Sequence, residues 1–586
     1  MGTHPLLLFL PLPQRRGRGE VFRRNRRCYE LPEPLPEGTL PASMSIRYVE
    51  HPRIRAGALE EREYQRTIAH HAMEENVLAI LPTGLGKTAI ALRVMAHYLE
   101  AEPEKGALFL APTRPLVVQH GESVDRILKT EGPRVFTGLH GRGDRDWAQV
   151  AGRVVVATPQ VVLNDIREGV LDPSVFSVVV FDEVHRASGS YPYAFLARTF
   201  RESASCRLLG MTASPGNNVA KVREVMDCLG VLPSGLEVRD GSEADVLPYL
   251  HEIRIETEEV DPPRVLLERG HMLRDSLEKV ERRLESTGQI PPGERVSRRG
   301  LLDLGARLRG EVERYRARGQ TPPPSLWQTV SLQAVAMKLV HAIELVETQG
   351  VEALQKYLAR MDSSERRRSP STRMFLADSA VQKVRESVKV DPSEHPKLAR
   401  AVALIRGELT QRPDAKVLLF THYRDMADLA VRTLKDLHDP RIVPARFVGQ
   451  ASHGAGDVGL SQKQQGEVLQ SFRDGTVNCL VATSVAEEGL DIPATDLVIF
   501  YEPVPSEIRS IQRRGRTGRT QTGKVVLLVT RGTQDVAIHH AARGKENRMK
   551  RLVEDLKAGA SIPPTTPSHS RRTVATRIEE YNESRF

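Results

Sequence analysis

Apolar residues fall into short runs, separated by longer stretches in which they recur every three or four positions. Over residues 49–250 the runs are Val77–Leu81, Ala107–Ala111, Val154–Ala157, Val178–Phe181 and Leu208–Met211. Short continuous apolar runs fit strands buried on both faces, and the amphipathic stretches between them fit crossover helices. The pattern predicts an α/β layer built on a doubly wound parallel sheet. It returns over residues 393–545 with Val417–Phe420, Cys479–Ala482, Leu497–Tyr501 and Val525–Val529, and predicts a second layer of the same kind.

Residues 251–392 read differently. Leu332, Val335, Ala336, Leu339, Val340 and Ile343 recur at helical spacing, and beyond a break at Gly350 so do Val351, Leu354, Leu358 and Met361. This predicts a helical insert, punctuated by Pro322–Pro324 and by the charged run Glu365–Arg368. Residues 546–586 predict a C-terminal helix to about Ala560 and then a loose Pro/Ser/Thr-rich tail. Residues 1–48 read as an extension. Its first 43 residues hold seven arginines and no lysine, and the apolar run Pro5–Leu12 precedes its arginines, unlike a secretory signal. A disordered arm, or a translation start upstream of the true one at Met44, is expected there.

Composition adds less than the location of the charge. A length of 586 residues suits three or four domains. No run of about 18 apolar residues occurs, so no spanning helix and no membrane partner are expected. Cys28, Cys206, Cys228 and Cys479 are too scattered for a disulfide framework and lack the spacing of a zinc ribbon, which makes the cytoplasm the expected compartment. The net charge is +9, with 67 arginines against 17 lysines. Arginine suits phosphate forks, although GC-rich codon usage produces the same bias. Residues 261–390 hold 24 basic and 17 acidic side chains, so +7 of the excess lies in the insert. A solvated helical face and a nucleic-acid surface both fit that balance, and the motifs on either side favour the second.

Leu81-Pro-Thr83-Gly84-Leu-Gly86-Lys87-Thr88 follows a predicted strand and opens a predicted helix. Glycines let backbone N–H groups fold around phosphates, and the helix N-terminus adds its dipole. Lys87 would reach the β/γ-phosphates and Thr88 would ligate Mg²⁺. The strict pattern has glycine where Leu81 stands. Phe181-Asp182-Glu183-Val-His185 ends the strand Val178–Phe181, so Asp182 would hold the metal and Glu183 the attacking water. Gln512-Arg-Arg-Gly-Arg516-Thr-Gly-Arg519 lies in the second unit. Arg516 and Arg519 are candidate arginine fingers, worth about 10³–10⁵ in rate where they act. A phosphate loop in one unit and fingers in the other would make ATP a bridge whose hydrolysis releases it.

These residues give the chain its resemblance to superfamily 2 helicases with two RecA-like domains, over about residues 60–520. Arg62-Glu-Tyr-Gln65 resembles the adenine-reading motif, which implies contacts from Gln65 and Arg62. Ala111-Pro-Thr-Arg114 and Ala157-Thr158-Pro-Gln160 resemble segments that touch the nucleic-acid backbone. Thr212-Ala-Ser214 resembles the segment linking hydrolysis to strand movement. Phe420-Thr-His422-Tyr-Arg424 and Ala482-Thr483-Ser484 resemble second-domain backbone contacts, and Gly489-Leu-Asp491 the segment near the ribose and the fingers. The Asp-Glu-x-His box and the helical insert narrow the likeness to the group of archaeal Hef, Fanconi-anaemia M-type translocases, Dicer and RIG-I-like receptors. Gln450, Gly459-Leu-Ser-Gln-Lys-Gln-Gln465 and Ala482–Pro493 make it most similar to Hef. There the insert is a thumb-like domain that helps engage branched DNA. Hef often has Asp-Glu-Ala-His in its box. Full-length Hef also continues into a nuclease marked by Glu-Arg-Lys-x-x-x-Asp, a motif absent from this sequence, so cleavage by that chemistry is not expected.

The resemblance implies a monomeric ATP- and Mg²⁺-dependent DNA helicase or translocase, moving 3′ to 5′ on forks and junctions in repair or fork restart. Two other readings stay open. One is an RNA-directed helicase or double-stranded-RNA-binding ATPase. The other is an ATP-switched DNA clamp that recruits a separate nuclease. A sliding clamp is a further candidate partner, although the tail holds no convincing peptide for one.

Overall fold

Fourfold runs of buried side chains set the centre of each sheet, as β-branched and aromatic residues with no polar face must be covered on both sides. The computed structural model describes residues 47–557 apart from 83, 140, 142, 144, 188–190, 204–205, 214–215, 217–218, 250–252, 292, 294–296, 364–365, 451–458, 484–494 and 504–522. The strands of the first sheet are β1 Val77–Ile80, β2 Gly106–Leu110, β3 Arg134–Phe136, β4 Val154–Ala157, β5 Phe176–Asp182, β6 Arg207–Thr212 and β7 Leu236–Val238. They are parallel and lie in the order β3-β4-β2-β5-β6-β1-β7. Alternate residues of each strand feed opposite cores. Leu78 and Ile80 pack on one face of the sheet, Val77 and Ala79 on the other.

The second sheet comprises β8 Ile253–Val260, β9 Val417–Phe420, β10 Pro444–Phe447, β11 Cys479–Ala482, β12 Leu497–Phe500 and β13 Gly523–Thr530, again parallel, in the order β10-β11-β9-β12-β13-β8. Here the sequence reading needs correction, because residues 251–260 were expected to open the helical insert. Residues 253–260 form an edge strand that pairs with β13 from Gly523↔Ile253 to Thr530↔Val260. The insert is therefore threaded through the second domain, after that domain's first strand. Charges alternate along β8 and are matched by Lys524–Glu256 at 3.0 Å, Arg531–Glu259 at 2.6 Å and Arg400–Glu258. An exposed sheet edge tolerates and uses such residues.

The insert packs helices Arg264–Ser286, Arg298–Ala317, Pro324–Glu344, Val351–Met361, Pro370–Ala377 and Ser379–Val390 around one core. Leu332, Val335, Ala336, Leu339 and Ile343 lie in that core, and Val340 packs against it. Side chains close two of the helix starts. Ser297 accepts from Gly300 N–H, and Asp378 from Ala380 and Val381 N–H. The segment Pro324–Gln349 is long and apolar enough to cross a membrane, contrary to the expectation from apolar runs alone. Its apolar face instead forms the centre of the bundle.

The final helix runs unbroken over Gln534–Lys557, so the boundary expected at residue 545 falls inside it. It starts after β13 and ends with Leu552, Val553 and Leu556 in a core of the first sheet. Lys557 Nζ lies 2.7 Å from Asp240 and 2.5 Å from Glu243. These elements belong to one compact unit that begins at Tyr48.

Candidate active site and nucleic-acid interface

After β1 the chain turns through residues 81–86 into helix Lys87–Ala101. Gly84 (φ +94°) and Gly86 (φ +68°) hold left-handed backbone, which favours residues without a Cβ. Space also demands glycine at 86, where a Cβ would lie 2.7 Å from Gln65 Nε2. Gln65 is buried and donates to Leu85 O at 3.0 Å, while Tyr64 Oη donates to the same carbonyl at 2.8 Å. The expected adenine reader thus braces the phosphate loop from behind, together with a tyrosine that the sequence reading did not single out. The Arg62 guanidinium sits over the Tyr249 ring at 4.9 Å and pairs with Glu60 at 2.9 Å. Lys87 Nζ donates to Leu81 O at 3.3 Å. Leu81 itself is buried, with its N–H on Thr212 O at 3.0 Å, so the position that departs from the strict pattern prolongs the strand.

Asp182 ends β5 as a buried carboxylate, with Oδ2 3.0 Å from His120 Nε2. Burial acts to raise its pKa, but the His120 hydrogen bond and charge, together with the charge of Lys87, hold it below the ordinary value. His120 was missed at the sequence level. It lies on helix Arg114–Ile127 in line with buried Val117, Val124 and Ile127, and its ring packs 4.2 Å from that of Phe109. A polar residue on that apolar stripe was the available signal.

Glu183 has φ +50°, a left-handed conformation that costs a non-glycine residue about 1–2 kcal/mol. It turns the chain from β5 into the short turn Val184–Arg186. His185 Nδ1 then lies 3.0 Å from Thr212 Oγ1 and 3.3 Å from Glu183 Oε2. The acidic box after β5 is thereby bonded to the last residue of β6. Among the described residues no group of three or more His, Cys, Asp or Glu side chains is arranged to hold a metal ion. An ion at Asp182 would draw on one carboxylate, the Thr88 hydroxyl, nucleotide phosphates and water. That donor set fits Mg²⁺, which keeps several waters and takes phosphate oxygens.

Arg114 begins its helix beyond β2, and Thr158 immediately precedes helix Pro159–Arg167 beyond β4. The two segments lie side by side, joined by Ala111 N–H to Ala157 O at 3.2 Å. In the second sheet, His422 and Arg424 follow β9 and Thr483 follows β11. Thr421 N–H bonds Ala482 O at 3.0 Å, and Thr483 N–H bonds Phe447 O at 3.0 Å. Arg424 Nη2 donates to Gly449 O at 3.1 Å. Glu502, beyond β12, accepts from Thr421 Oγ1 at 2.8 Å and from His422 N–H at 3.0 Å, a role the sequence reading did not assign. Both sets sit at the C-terminal edges of parallel strands, where such sheets bind ligands. Thr83, Ser214, Gly489, Asp491, Gln512, Arg516 and Arg519 lie outside the described residues.

Comparison with known families matches residues 62–222 to the DEAD/DEAH box helicase family and 397–521 to the helicase conserved C-terminal domain. Residues 265–392 match a helical bundle provisionally named for an ATP-dependent RNA helicase. A Methanocaldococcus jannaschii protein with the provisional name of ATP-dependent RNA helicase is 36% identical over 87% of this chain and 63% of its own length. The ATP-dependent DNA helicase MPH1 of Coccidioides immitis is 32% identical over 84% of this chain and 46% of its own. This chain therefore spans between about half and two thirds of those relatives. The crystal structure of the Pyrococcus furiosus Hef helicase domain superposes with a TM-score of 0.61 at 38% identity, covering 82% of this chain and 98% of that one. Shared sequence and fold over almost the whole of that domain show that this chain belongs to the Hef-type superfamily 2 helicases.

Proposed function

We propose that this chain is an ATP-driven DNA helicase or translocase that works on branched DNA, such as stalled forks and junctions, in repair or fork restart. The observation that carries the reading is its match to 98% of a Hef helicase domain, over 82% of this chain. In this reading Lys87 and the 81–86 loop bind the phosphates, while Thr88 and Asp182 hold Mg²⁺. Glu183 orients the water, and Arg516 and Arg519 approach from the second domain. Arg114, Thr158, His422, Arg424 and Thr483 contact the strand backbone. The charge of the insert supports a further contact. Exposed Arg307, Arg309, Arg314, Arg316 and Arg318 crowd one helix and its end, and Trp327 is 42% exposed at the start of the next. Arginine with an exposed aromatic suits phosphates and unstacked bases.

The names of the Methanocaldococcus relative and of the helical-bundle family favour a second reading, with RNA as the substrate. Measuring ATP hydrolysis and strand movement on a replication fork, a four-way junction and duplex RNA separates the two. Stimulation by the forked and four-way DNA with ATP-dependent displacement is the expected result. Stimulation by duplex RNA alone would replace the proposal with the RNA reading. Clamping of DNA by ATP without displacement or branch movement would make the chain an ATP-switched scaffold.

A further inference from the structure

We infer that the helical insert positions the strand-contact segment 421–425 of the second RecA-like domain, through a bracket formed by the buried turn 345–349 that seats the insert on that domain, by Tyr423 and by the Arg360–Asp425 pair, with Glu502 holding the other end of the segment. The inference rests on reading that segment as a DNA contact, and adds that the insert sets its geometry.

The bracket begins where helix Pro324–Glu344 widens into a π-turn at Leu345–Gln349, closed by Gly350 N–H on Leu345 O at 2.9 Å. Such widenings are rare and often accompany function. Glu347, Thr348 and Gln349 are all buried, although three successive polar residues span more than half a helical circumference. They are covered on both sides because the turn is wedged between two bodies. Leu345 and Val346 face the bundle core. On the other side, His395 at the start of helix Pro396–Gln411 accepts the Lys397 N–H at Nδ1, which leaves Nε2–H to donate to Glu347 O at 3.0 Å.

Glu502 of the second domain holds the other end of the segment. Its carboxylate is buried, and its two acceptors are spent on Thr421 Oγ1 and His422 N–H. A carboxylate is expensive to bury unless it satisfies donors, and here the donors it satisfies belong to the segment in question. The next residue is held from the insert. Tyr423 packs against the cores of both the bundle and the second domain, 5.7 Å from the His341 ring. Two residues on, Asp425 pairs with Arg360 of the insert at 2.8 Å. Thr421 and His422 are thus held from Glu502, Tyr423 and Asp425 from the insert, and Arg424 sits between the last two.

The test titrates ATP turnover of the whole chain with forked DNA carrying single-stranded arms. Glu502→Ala removes both acceptors. The DNA concentration for half-maximal turnover should rise about tenfold, the equivalent of one lost hydrogen bond to a charged group, while turnover at saturating DNA stays close to that of the unsubstituted chain. Glu502→Gln keeps an acceptor for His422 N–H and should restore most of the affinity. Arg360→Ala deletes the ion pair from the insert to Asp425, and should raise the half-maximal concentration by about threefold. If the unsubstituted chain responds to DNA and folded Glu502→Ala and Arg360→Ala proteins respond identically to it, the inference fails and the functional reading stands. If Glu502→Gln is as impaired as Glu502→Ala, the positioning role fails in favour of a charge requirement. If DNA leaves turnover of the unsubstituted chain unchanged, the functional reading fails first.

Discussion

His120 Nε2 lies 3.0 Å from Asp182 Oδ2, so the helix that begins at Arg114 is bonded to the carboxylate proposed to hold the metal. One end of that helix faces the strand-contact edge and its middle touches the nucleotide site. Groups that orient a metal ligand from behind typically contribute about 10–100-fold in metal affinity. His120→Ala should weaken Mg²⁺-dependent nucleotide binding by about tenfold, read as a shift in the Mg²⁺ titration of nucleotide binding by calorimetry. An unshifted titration in a folded variant would make His120 a packing residue only.

The phosphate loop separates chemistry from folding. Lys87 makes one weak bond within the protein, to Leu81 O at 3.3 Å. Lys87→Ala should therefore abolish ATP turnover while changing stability by no more than about 1 kcal/mol. Gly86→Ala should behave in the opposite way. Its left-handed backbone and its approach to Gln65 predict a loss of at least about 1–2 kcal/mol, seen as a lower melting temperature, with nucleotide binding weakened as a consequence. A normal melting temperature for Gly86→Ala would contradict the geometry of the loop.

Legibility from sequence followed burial. The central strands, from β1 and β5 to β9 and β12, are apolar on both faces, and continuous apolar runs found them to within a residue or two. β3 and β7 border the first sheet, β10 and β8 border the second, and all four went unread. Each leaves part of its surface outside the core, so Arg134, Glu237 and Arg446 break the runs, and β8 alternates with Glu256, Glu258 and Glu259. The same rule hid His120 and Glu502. A chemical motif advertises residues that meet a ligand, whereas residues that hold those from behind are known only once the fold brings distant segments together. Gly350 was legible as a break, with φ +105°, but the polar π-turn before it was not, because its burial depends on the second domain.

That buried turn makes stability depend on pH. Burial pushes the Glu347 carboxyl up to about 7, outweighing the Arg274 guanidinium beside it. Burial does the same to Glu502, also to about 7, against the charge of Lys397 and its hydrogen bonds. Between about pH 4.3, the ordinary glutamate value, and about 7, the folded chain binds protons here that the unfolded chain does not. Their contribution is therefore fully present below that window and is lost as pH rises through about 7. His395 opposes it: burial pushes its pKa down to about 3, so its contribution falls as pH drops through about 6.5, its ordinary value. A difference between variants cancels the histidine. The melting temperature of Glu502→Gln relative to the unsubstituted chain should be higher at pH 8 than at pH 5.5. A pH-independent difference would mean that Glu502 is ionised throughout.

Binding of the nucleic-acid backbone predicts a salt dependence that separates charged from neutral contacts. Each phosphate neutralised on a single strand releases counterions and contributes about −0.7 to the slope of log affinity against log salt. Arg424→Ala should weaken binding to a single-stranded oligonucleotide and flatten that slope by about 0.7. Thr158 carries no charge, and its hydroxyl makes no capping bond to its own helix, which leaves it able to donate to a phosphate. Thr158→Val should therefore lower affinity by a few-fold at every salt concentration, with the slope unchanged. Fluorescence anisotropy between about 50 and 200 mM salt resolves the two behaviours. Identical slopes for Arg424→Ala and the unsubstituted chain would remove Arg424 from the phosphate contacts. In that case Arg424 would act within the protein, its bond to Gly449 O tying the turn after β9 to the one after β10.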